Sequence, residues 1–189
     1  PVLLLHGIFA SLHTFDGWVK ELKKDFRLIR MDLPGFGLSQ VTEDHKYSMK
    51  RYLHVIVELM DDLGIERFSI AGSSLGGWLA WEFALDYPER VDKLILIDAA
   101  GVEINRHIPL PVKLARLPFA RAVAPYFINR SLVEHFIKEV YADPSKIAPE
   151  VIDRYYDLFT REGNPEAFLT IVNAKFKDRA ADLGQLKAP

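Results

Sequence analysis

Residues 72–76, Gly-Ser-Ser-Leu-Gly, carry the most reactive pattern in the chain. They match Gly-x-Ser-x-Gly, which is weak evidence alone because both residue types are common. Here the pattern follows an apolar run at residues 68–71 and opens a helical stretch at residues 75–87. A sharp strand–turn–helix connection exposes its central serine at a sheet edge, and small flanking residues avoid steric clashes. We predict that Ser74 is the nucleophile of such an elbow; the structural alternative is a tight turn with this serine as a helix N-cap.

A serine that attacks a carbonyl needs N–H donors for the negative charge that develops on the oxygen. The residue after the nucleophile usually supplies one donor, which here is the N–H of Leu75. The loop after the first apolar run supplies the other, with Ile8 as our first choice and Phe9 as the alternative one residue later. Gly7 would let this backbone approach a substrate closely. We expect His6 to order the loop by hydrogen bonding rather than to act as a base.

Four short apolar runs alternate with helical patterns, which is typical of an α/β fold with a mostly parallel sheet. The runs are residues 1–6, 26–31, 68–71 and 94–97. Helical spacing of apolar residues covers residues 15–22, 48–63 and 75–87. The strands must bring their carboxyl ends to one edge, where open α/β sheets bind their ligands. The predicted architecture therefore places the serine turn and the first loop at the same edge.

Residues 102–178 contain no convincing strand and predict a helical insertion. One helix is expected from Ser131, which has a glutamate three positions later, as in a capping box. Others are expected near Pro149 and at Asn164, the last carrying apolar side chains as far as Phe176. Most apolar side chains of this insertion should pack its helices together. A few should line an apolar pocket over the serine, which favours a small apolar or acyl-containing substrate.

The composition excludes several classes of function. Hydrophobic residues make up 49% of the 189 residues and charged residues 26%, as in folded globular proteins. Lys and Arg number 24 against 26 for Asp and Glu, so no basic surface for nucleic acid or an anionic membrane is expected. No apolar run is long enough to span a bilayer. Cytoplasmic is the default location, and the oligomeric state is open.

Cofactor and metal chemistry has no support in the sequence. The chain contains no cysteine, so disulfides, thiolate nucleophiles and cysteine-ligated metals are excluded. The six histidines are scattered without metal-ligand spacing. The glycine-rich turn at residues 72–77 lacks the lysine of a phosphate-binding loop. We therefore expect neither a metal nor a cofactor.

Four segments together resemble the α/β-hydrolase superfamily, in its serine-nucleophile, esterase- or lipase-like branch with a helical cap. They are Leu-His-Gly at residues 5–7, Asp-Leu-Pro-Gly-Phe-Gly at 32–37, Gly-Ser-Ser-Leu-Gly-Gly at 72–77 and Leu-Ile-Leu-Ile-Asp-Ala-Ala-Gly at 94–101. The resemblance implies a partial hydrolase core of about four strands over residues 1–101. It further implies a helical cap over residues 102–178 and a return segment over residues 179–189.

The rest of a catalytic triad is not evident in the chain. In the resembled family an acid and then a histidine follow later strands, so the resemblance implies a fragment missing both ends, with both residues beyond Pro189. Asp98 ends the fourth apolar run, at the same sheet edge as Ser74, and is a candidate acid. His107 and His135 follow the serine but lie in the cap, and are poor candidates for the base.

These features predict a fragment of a serine hydrolase that acts on carboxylic esters through an acyl-enzyme on Ser74. By itself the 189-residue chain should turn over little substrate, and residues 93–97 should form an unpaired apolar edge strand. Alternatives are a carbon–carbon bond hydrolase, a perhydrolase or a non-catalytic binding protein on the same scaffold. Family members of the carbon–carbon class carry a glycine-rich loop after His-Gly, which Ile-Phe-Ala-Ser at residues 8–11 does not match.

Overall fold

The computed structural model describes residues 1–102, 110–117, 119 and 128–189. Within this part of the chain, four parallel strands form one sheet in the order β2-β1-β3-β4. The strands are β1 (Val2–Leu5), β2 (Leu28–Met31), β3 (Phe68–Ser73) and β4 (Val91–Ile97). The predicted α/β class and the parallel sheet of about four strands are confirmed.

Helices flank the sheet on both faces and continue after it. They are α1 (Asp16–Leu22), α2 (Met49–Asp62), α3 (Leu75–Asp86), α4 (Leu110–Ala115), α5 (Arg130–Val140), α6 (Pro149–Phe159) and α7 (Asn164–Val172). Short 3₁₀ helices cover Leu12–Phe15, Pro88–Arg90, Pro144–Lys146 and Ala180–Gln185. None of the helices in the described ranges is long and apolar enough to cross a bilayer.

The predicted capping box at Ser131 is wrong. Helix α5 begins one residue earlier, at Arg130, and its cap is Asn129. The side-chain oxygen of Asn129 accepts a hydrogen bond of 3.0 Å from the N–H of Leu132. Asparagine caps at least as well as serine, and it stands at the residue where the backbone is still extended. Local competition between two good capping residues therefore moved the helix start.

The last predicted helix is shorter than expected. Helix α7 ends at Val172, so Phe176 lies outside it. The side-chain amide of Asn173 donates to the carbonyl of Leu169 at 2.8 Å and to that of Ala115 at 3.0 Å. An asparagine side chain that takes up carbonyl groups at a helix end competes with the next helical turn. It also joins the end of α7 to the end of α4.

The central strands are buried on both faces, which explains the continuous apolar run at the start of the chain. Leu3, Leu4 and Leu5 of β1 are fully buried. Leu3 and Leu5 pack into the main core with α2, α3 and α7, while Leu4 packs against Phe15 on the opposite face. A separate apolar cluster joins α5 to α6. The described residues thus form a main core on one face of the sheet, a smaller cluster on its other face and a third cluster between α5 and α6.

Strand β4 forms an exposed edge of the sheet, close to what the sequence predicts. The side chains of Ile95 and Leu96 are 38% and 44% exposed. The edge is not wholly unpaired, because the N–H of Leu94 donates to the carbonyl of Pro189 at 3.0 Å. The final residues of the chain therefore lie alongside β4.

Candidate active site

Ser74 is the single residue between the end of β3 and the start of α3. Its φ of 50° and ψ of −113° fall in a region that costs a non-glycine residue about 1–3 kcal/mol. It occupies the N-cap position of α3, but its side chain makes no capping hydrogen bond. A Cβ atom on Gly72 would collide with the carbonyl of Gly76, and one on Gly76 with the carbonyl of Leu5. The turn therefore needs glycine on both sides of the serine.

The backbone of Ser74 is tied to the loop that follows β4. Its N–H donates to the carbonyl of Ile97 at 3.1 Å. Its carbonyl accepts from the N–H of Ala100 at 2.9 Å and from that of Trp78 at 3.0 Å. Asp98 directly follows Ile97 and has a φ of 46°. The candidate acid therefore lies on a strained turn next to the serine strand, and its role as an acid stays a prediction.

The loop after β1 passes directly beside the serine. A Cβ atom on Gly7 would lie 3.2 Å from the Cβ of Ser74 and 3.8 Å from its Oγ. Ile8 follows Gly7, while Leu75 is the first residue of α3, where the N–H groups have no acceptor within the helix. The two predicted N–H donors thus belong to the two backbone segments that meet at Ser74. That they bind an oxyanion stays a prediction.

His6 joins the loops after β1 and β2 from a fully buried position. Its Nε2 accepts a hydrogen bond of 2.9 Å from the N–H of Leu33, so the ring proton is on Nδ1. Nδ1 then donates to the carbonyl of Gly7 at 2.7 Å. Burial lowers the pKa of the imidazole, against a smaller opposing effect from Asp32, whose Oδ1 lies 3.8 Å from Nε2. Both ring nitrogens are occupied, so the neutral ring fixes backbone and has no free nitrogen for proton transfer.

Asp32 extends this network around the site. Its Oδ1 accepts the N–H of Leu12 at 2.7 Å, and its Oδ2 accepts the N–H of Leu38 at 2.8 Å. The carboxylate thereby bridges the segment after the β1 loop and the glycine-rich turn after β2. A buried carboxylate that receives backbone N–H groups is a strong anchor, because each bond is charge-assisted. Asp32 belongs to one of the four segments that carry the family resemblance, but the sequence does not reveal its partners.

The turn after β2 is also held by the connection between α6 and α7 and by the first residue of α7. The carbonyl of Gly37 accepts hydrogen bonds from Arg161 at 2.8 Å and from the side-chain amide of Asn164 at 3.0 Å. Asn164 is buried and donates as well to the carbonyl of Leu158 at 2.7 Å. This residue was predicted only as a helix start. Its amide in fact connects the later helices to a loop of the site.

Phe9 is the functional-site residue that sequence reasoning assessed least well. It was considered only as an alternative N–H donor, yet its φ is 62° and its ring packs among aromatic rings of three later helices. The partners are Phe136, Tyr155, Phe159 and Phe168. No local sequence pattern identifies this contact, because the partners lie more than a hundred positions away.

The remaining histidines and the cap are only partly described. His135 is exposed on α5. Residues 103–109, 118 and 120–127 of the predicted cap, and with them His107, lie outside the described residues. Within the described ranges, no group of three or more His, Asp and Glu side chains could hold a metal ion.

Comparison with known proteins identifies the family. Residues 1–122 match the family model described as the alpha/beta hydrolase fold. The chain belongs to this family. The matched region contains the serine turn, the His-Gly loop and the strand that ends in Asp98, which are the segments that carried the resemblance.

Several relatives of known activity cover most of the chain. A 2-hydroxymuconate semialdehyde hydrolase of Pseudomonas putida is 34% identical over 171 residues, which is 89% of the chain and 57% of that protein. A 2-hydroxy-6-oxo-2,4-heptadienoate hydrolase of Pseudomonas putida is 28% identical over 180 residues, 92% of the chain and 60% of that protein. The solved structure of a meta-cleavage product hydrolase from Pseudomonas fluorescens is 28% identical in sequence and matches with a TM-score of 0.76. The match covers 90% of this chain and 60% of the hydrolase chain. The chain spans about 60% of the length of these relatives.

Proposed function

We propose that the protein is a serine hydrolase in which Ser74 attacks the carbonyl carbon of a carboxylic ester. The observation that carries this proposal is the strained backbone of Ser74 at the end of β3, with Gly7 against its side chain. Strain of this kind persists only where surrounding structure enforces it, and it concentrates at functional sites. The start of α3 adds the positive end of a helix dipole next to the serine.

In the proposed reaction, Ser74 Oγ adds to the ester carbonyl while a general base takes its proton. The N–H groups of Ile8 and Leu75 donate to the oxyanion, and each such donor is typically worth about 10²–10³ in rate. The alcohol leaves, and water then hydrolyses the acyl-enzyme. His6 is not this base, because both of its ring nitrogens are hydrogen-bonded. Asp98 is the candidate acid.

A second candidate reaction is the hydrolysis of a carbon–carbon bond in a meta-cleavage product. It is supported by the relatives at 28–34% identity, which are hydrolases of such compounds by name. The sequence Ile-Phe-Ala-Ser at residues 8–11 argues against this reaction, because it is not the glycine-rich loop expected after His-Gly in that class. Both reactions begin with attack on a carbonyl carbon, so both use the same serine turn and the same two donors.

Labelling with a fluorophosphonate probe tests the nucleophile. The intact protein, expressed with any residues that its gene encodes beyond Pro1 and Pro189, should be labelled at Ser74. Ser74→Ala should abolish labelling, whereas Ser73→Ala, at the neighbouring serine, should retain it. Labelling of the Ser74→Ala variant would refute the assignment of Ser74 as the nucleophile. The same comparison on the 189-residue chain tests the expectation that this chain alone reacts poorly.

The bond that is cleaved is decided by substrate. We expect p-nitrophenyl esters of short to medium acyl chains to be turned over by the wild type and not by Ser74→Ala. A 2-hydroxy-6-oxo-dienoate, followed by the loss of its visible absorbance, reports the carbon–carbon reaction. A kcat/KM that is higher on the dienoate than on the esters would favour the carbon–carbon reaction over ester hydrolysis. No Ser74-dependent turnover of either substrate would favour the non-catalytic alternative.

A further inference from the structure

The side chain of Phe9 connects the loop beside the serine to the later helices. Its ring centroid lies 4.4 Å from that of Phe159 and 5.8 Å from that of Phe168. The rings of Phe136 and Tyr155 lie at 6.0 and 6.2 Å. These distances are within the range in which aromatic rings attract one another. Helices α5, α6 and α7 all contribute a ring, so the loop after β1 is held from three directions.

The backbone at Phe9 shows that these contacts determine its conformation. A φ of 62° is rare for a bulky side chain and persists only when the surroundings enforce it. The ring packs at once against the main core and against the apolar cluster between α5 and α6. The gap that it shares with Phe36, Tyr155 and Phe159 holds about 10 Å³, room for one water molecule at most. The ring is therefore packed closely against its aromatic partners on this side.

A further contact holds the same loop from the cap side. Thr14, five positions after Phe9, lies close enough to the hydroxyl of Tyr155 to lower its pKa. Burial has the larger effect and raises the pKa of this tyrosine to about 12, so the hydroxyl stays protonated. Helix α6 thus contacts the chain both at Phe9 and just beyond it. The segment between them cannot shift without breaking one of the two contacts.

We propose that Phe9 is a positioning residue for the reaction proposed above, on which this inference rests. The cap rings fix the side chain of Phe9, and the backbone of Phe9 fixes the adjacent N–H of Ile8 against Ser74. Gly7, on the other side of Ile8, already lies within van der Waals reach of the serine. A displacement of about 1 Å at a catalytic group can cost about 100-fold in rate. The packing of α6 and α7 therefore sets the rate constant as well as covering the site.

Two substitutions at Phe9 separate the ring from the backbone. Phe9→Gly removes the ring but favours a positive φ, whereas Phe9→Leu keeps apolar bulk and loses the aromatic contacts. We expect both to lower kcat on the ester by about 10- to 100-fold, because the loop is no longer held. KM should change by less than about threefold, since the ring is not proposed to bind substrate. Wild-type kcat in Phe9→Gly would show that the ring has no positioning role.

Substitution on the cap side tests the coupling without touching the loop. Phe159→Leu should lower kcat, and the double variant with Phe9→Leu should lose less than the product of the two single effects. The amide resonance of Ile8 should move in Phe159→Leu. The matched control is Phe83→Leu, which removes a buried ring 5.4 Å from Phe68 in the main core. It should lower thermal stability and leave both kcat and the Ile8 amide unchanged.

The outcomes separate this inference from the proposed function. Inactive Ser74→Ala together with unchanged kcat in Phe9→Leu and Phe159→Leu overturns the positioning role alone. Full activity in Ser74→Ala overturns the proposed function and this inference with it. If the Phe9 variants do not fold, the Ile8 amide in Phe159→Leu decides, and an unmoved resonance refutes the coupling.

Discussion

The buried imidazole of His6 should make the protein less stable as the pH falls below about 6.5. In the folded state Nε2 accepts the N–H of Leu33 and Nδ1 donates to the carbonyl of Gly7. A proton on Nε2 would turn the acceptor into a donor facing another donor, at a fully buried side chain. Burial accordingly lowers the pKa of His6 from its ordinary value of 6.5. The folded protein therefore keeps this ring neutral where the unfolded chain protonates it.

The sign and size of the effect follow from proton linkage. Below pH 6.5 the unfolded state binds a proton at His6 that the folded state does not, so the free energy of unfolding decreases as the pH falls. The slope reaches at most about 1.4 kcal/mol per pH unit until the lower, native pKa is passed. For a chain of this length that corresponds to about 3–5 °C in Tm per pH unit. Glu82, whose pKa is raised mainly by burial, contributes with the opposite sign above its ordinary value of 4.5.

Thermal unfolding followed by circular dichroism between pH 5.0 and 7.5 measures this slope. His6→Gln keeps an acceptor for the N–H of Leu33 and removes the titration, so its Tm should depend less on pH than that of the wild type. His54→Gln is the matched control, because the His54 side chain is 67% exposed. Taking the difference between variants cancels the contribution of Glu82. Equal pH slopes in wild type and His6→Gln, or an imidazolium signal of His6 in ¹⁵N spectra at pH 6, would refute the reasoning.

Two further predictions follow from the close contacts. Gly7→Ala would place a methyl group 3.2 Å from the Cβ of Ser74 and 3.4 Å from the carbonyl of Ser73, so the loop must shift. We expect phosphonylation of Ser74 to slow by about 10²-fold with little change in Tm, and an unchanged rate would contradict the placement of the N–H donors. Arg179→Ala would leave the buried carboxylate of Glu82 without the guanidinium that lies 2.8 Å away, and urea titrations should show a free energy of unfolding lower by about 3 kcal/mol. Adding Glu82→Gln should recover part of this loss, and no recovery would argue against a charge effect.

The sheet and the serine turn were predictable because their signals are local. A continuous apolar run predicts a strand buried on both faces, as β1 is, and the glycines around Ser74 are required by close backbone contacts within a few residues. Helix α2 begins after Ser48, whose Oγ accepts the N–H of Arg51 at 3.2 Å, as its spacing indicated.

The errors and omissions concern contacts between distant residues or competition between neighbours. Contrary to the prediction, Ser131 is not the cap of α5, because Asn129 stands two positions earlier and caps equally well. The contacts of Phe9 with α5, α6 and α7 span more than a hundred residues, and no periodicity in the sequence records which rings will meet. The partners of Asn164 and Asp32 were hidden for the same reason, since a polar residue type indicates only that some partner exists.

Backbone strain is concentrated at the candidate site. Five non-glycine residues in the described part of the chain have a positive φ, and three of them follow the neighbouring strands β1, β3 and β4: Phe9, Ser74 and Asp98, with φ values of 62°, 50° and 46°. A non-glycine residue seldom adopts such values, and three of them at the carboxyl ends of adjacent strands require the surroundings to supply the energy. Each of these residues has contacts that can hold its backbone in place. Rings of the later helices pack against Phe9, backbone hydrogen bonds hold Ser74, and the carbonyl of Ile97, just before Asp98, accepts one of those hydrogen bonds. The sequence contains the residue types but not their φ angles, so this concentration of strain is evidence for function that only the fold reveals.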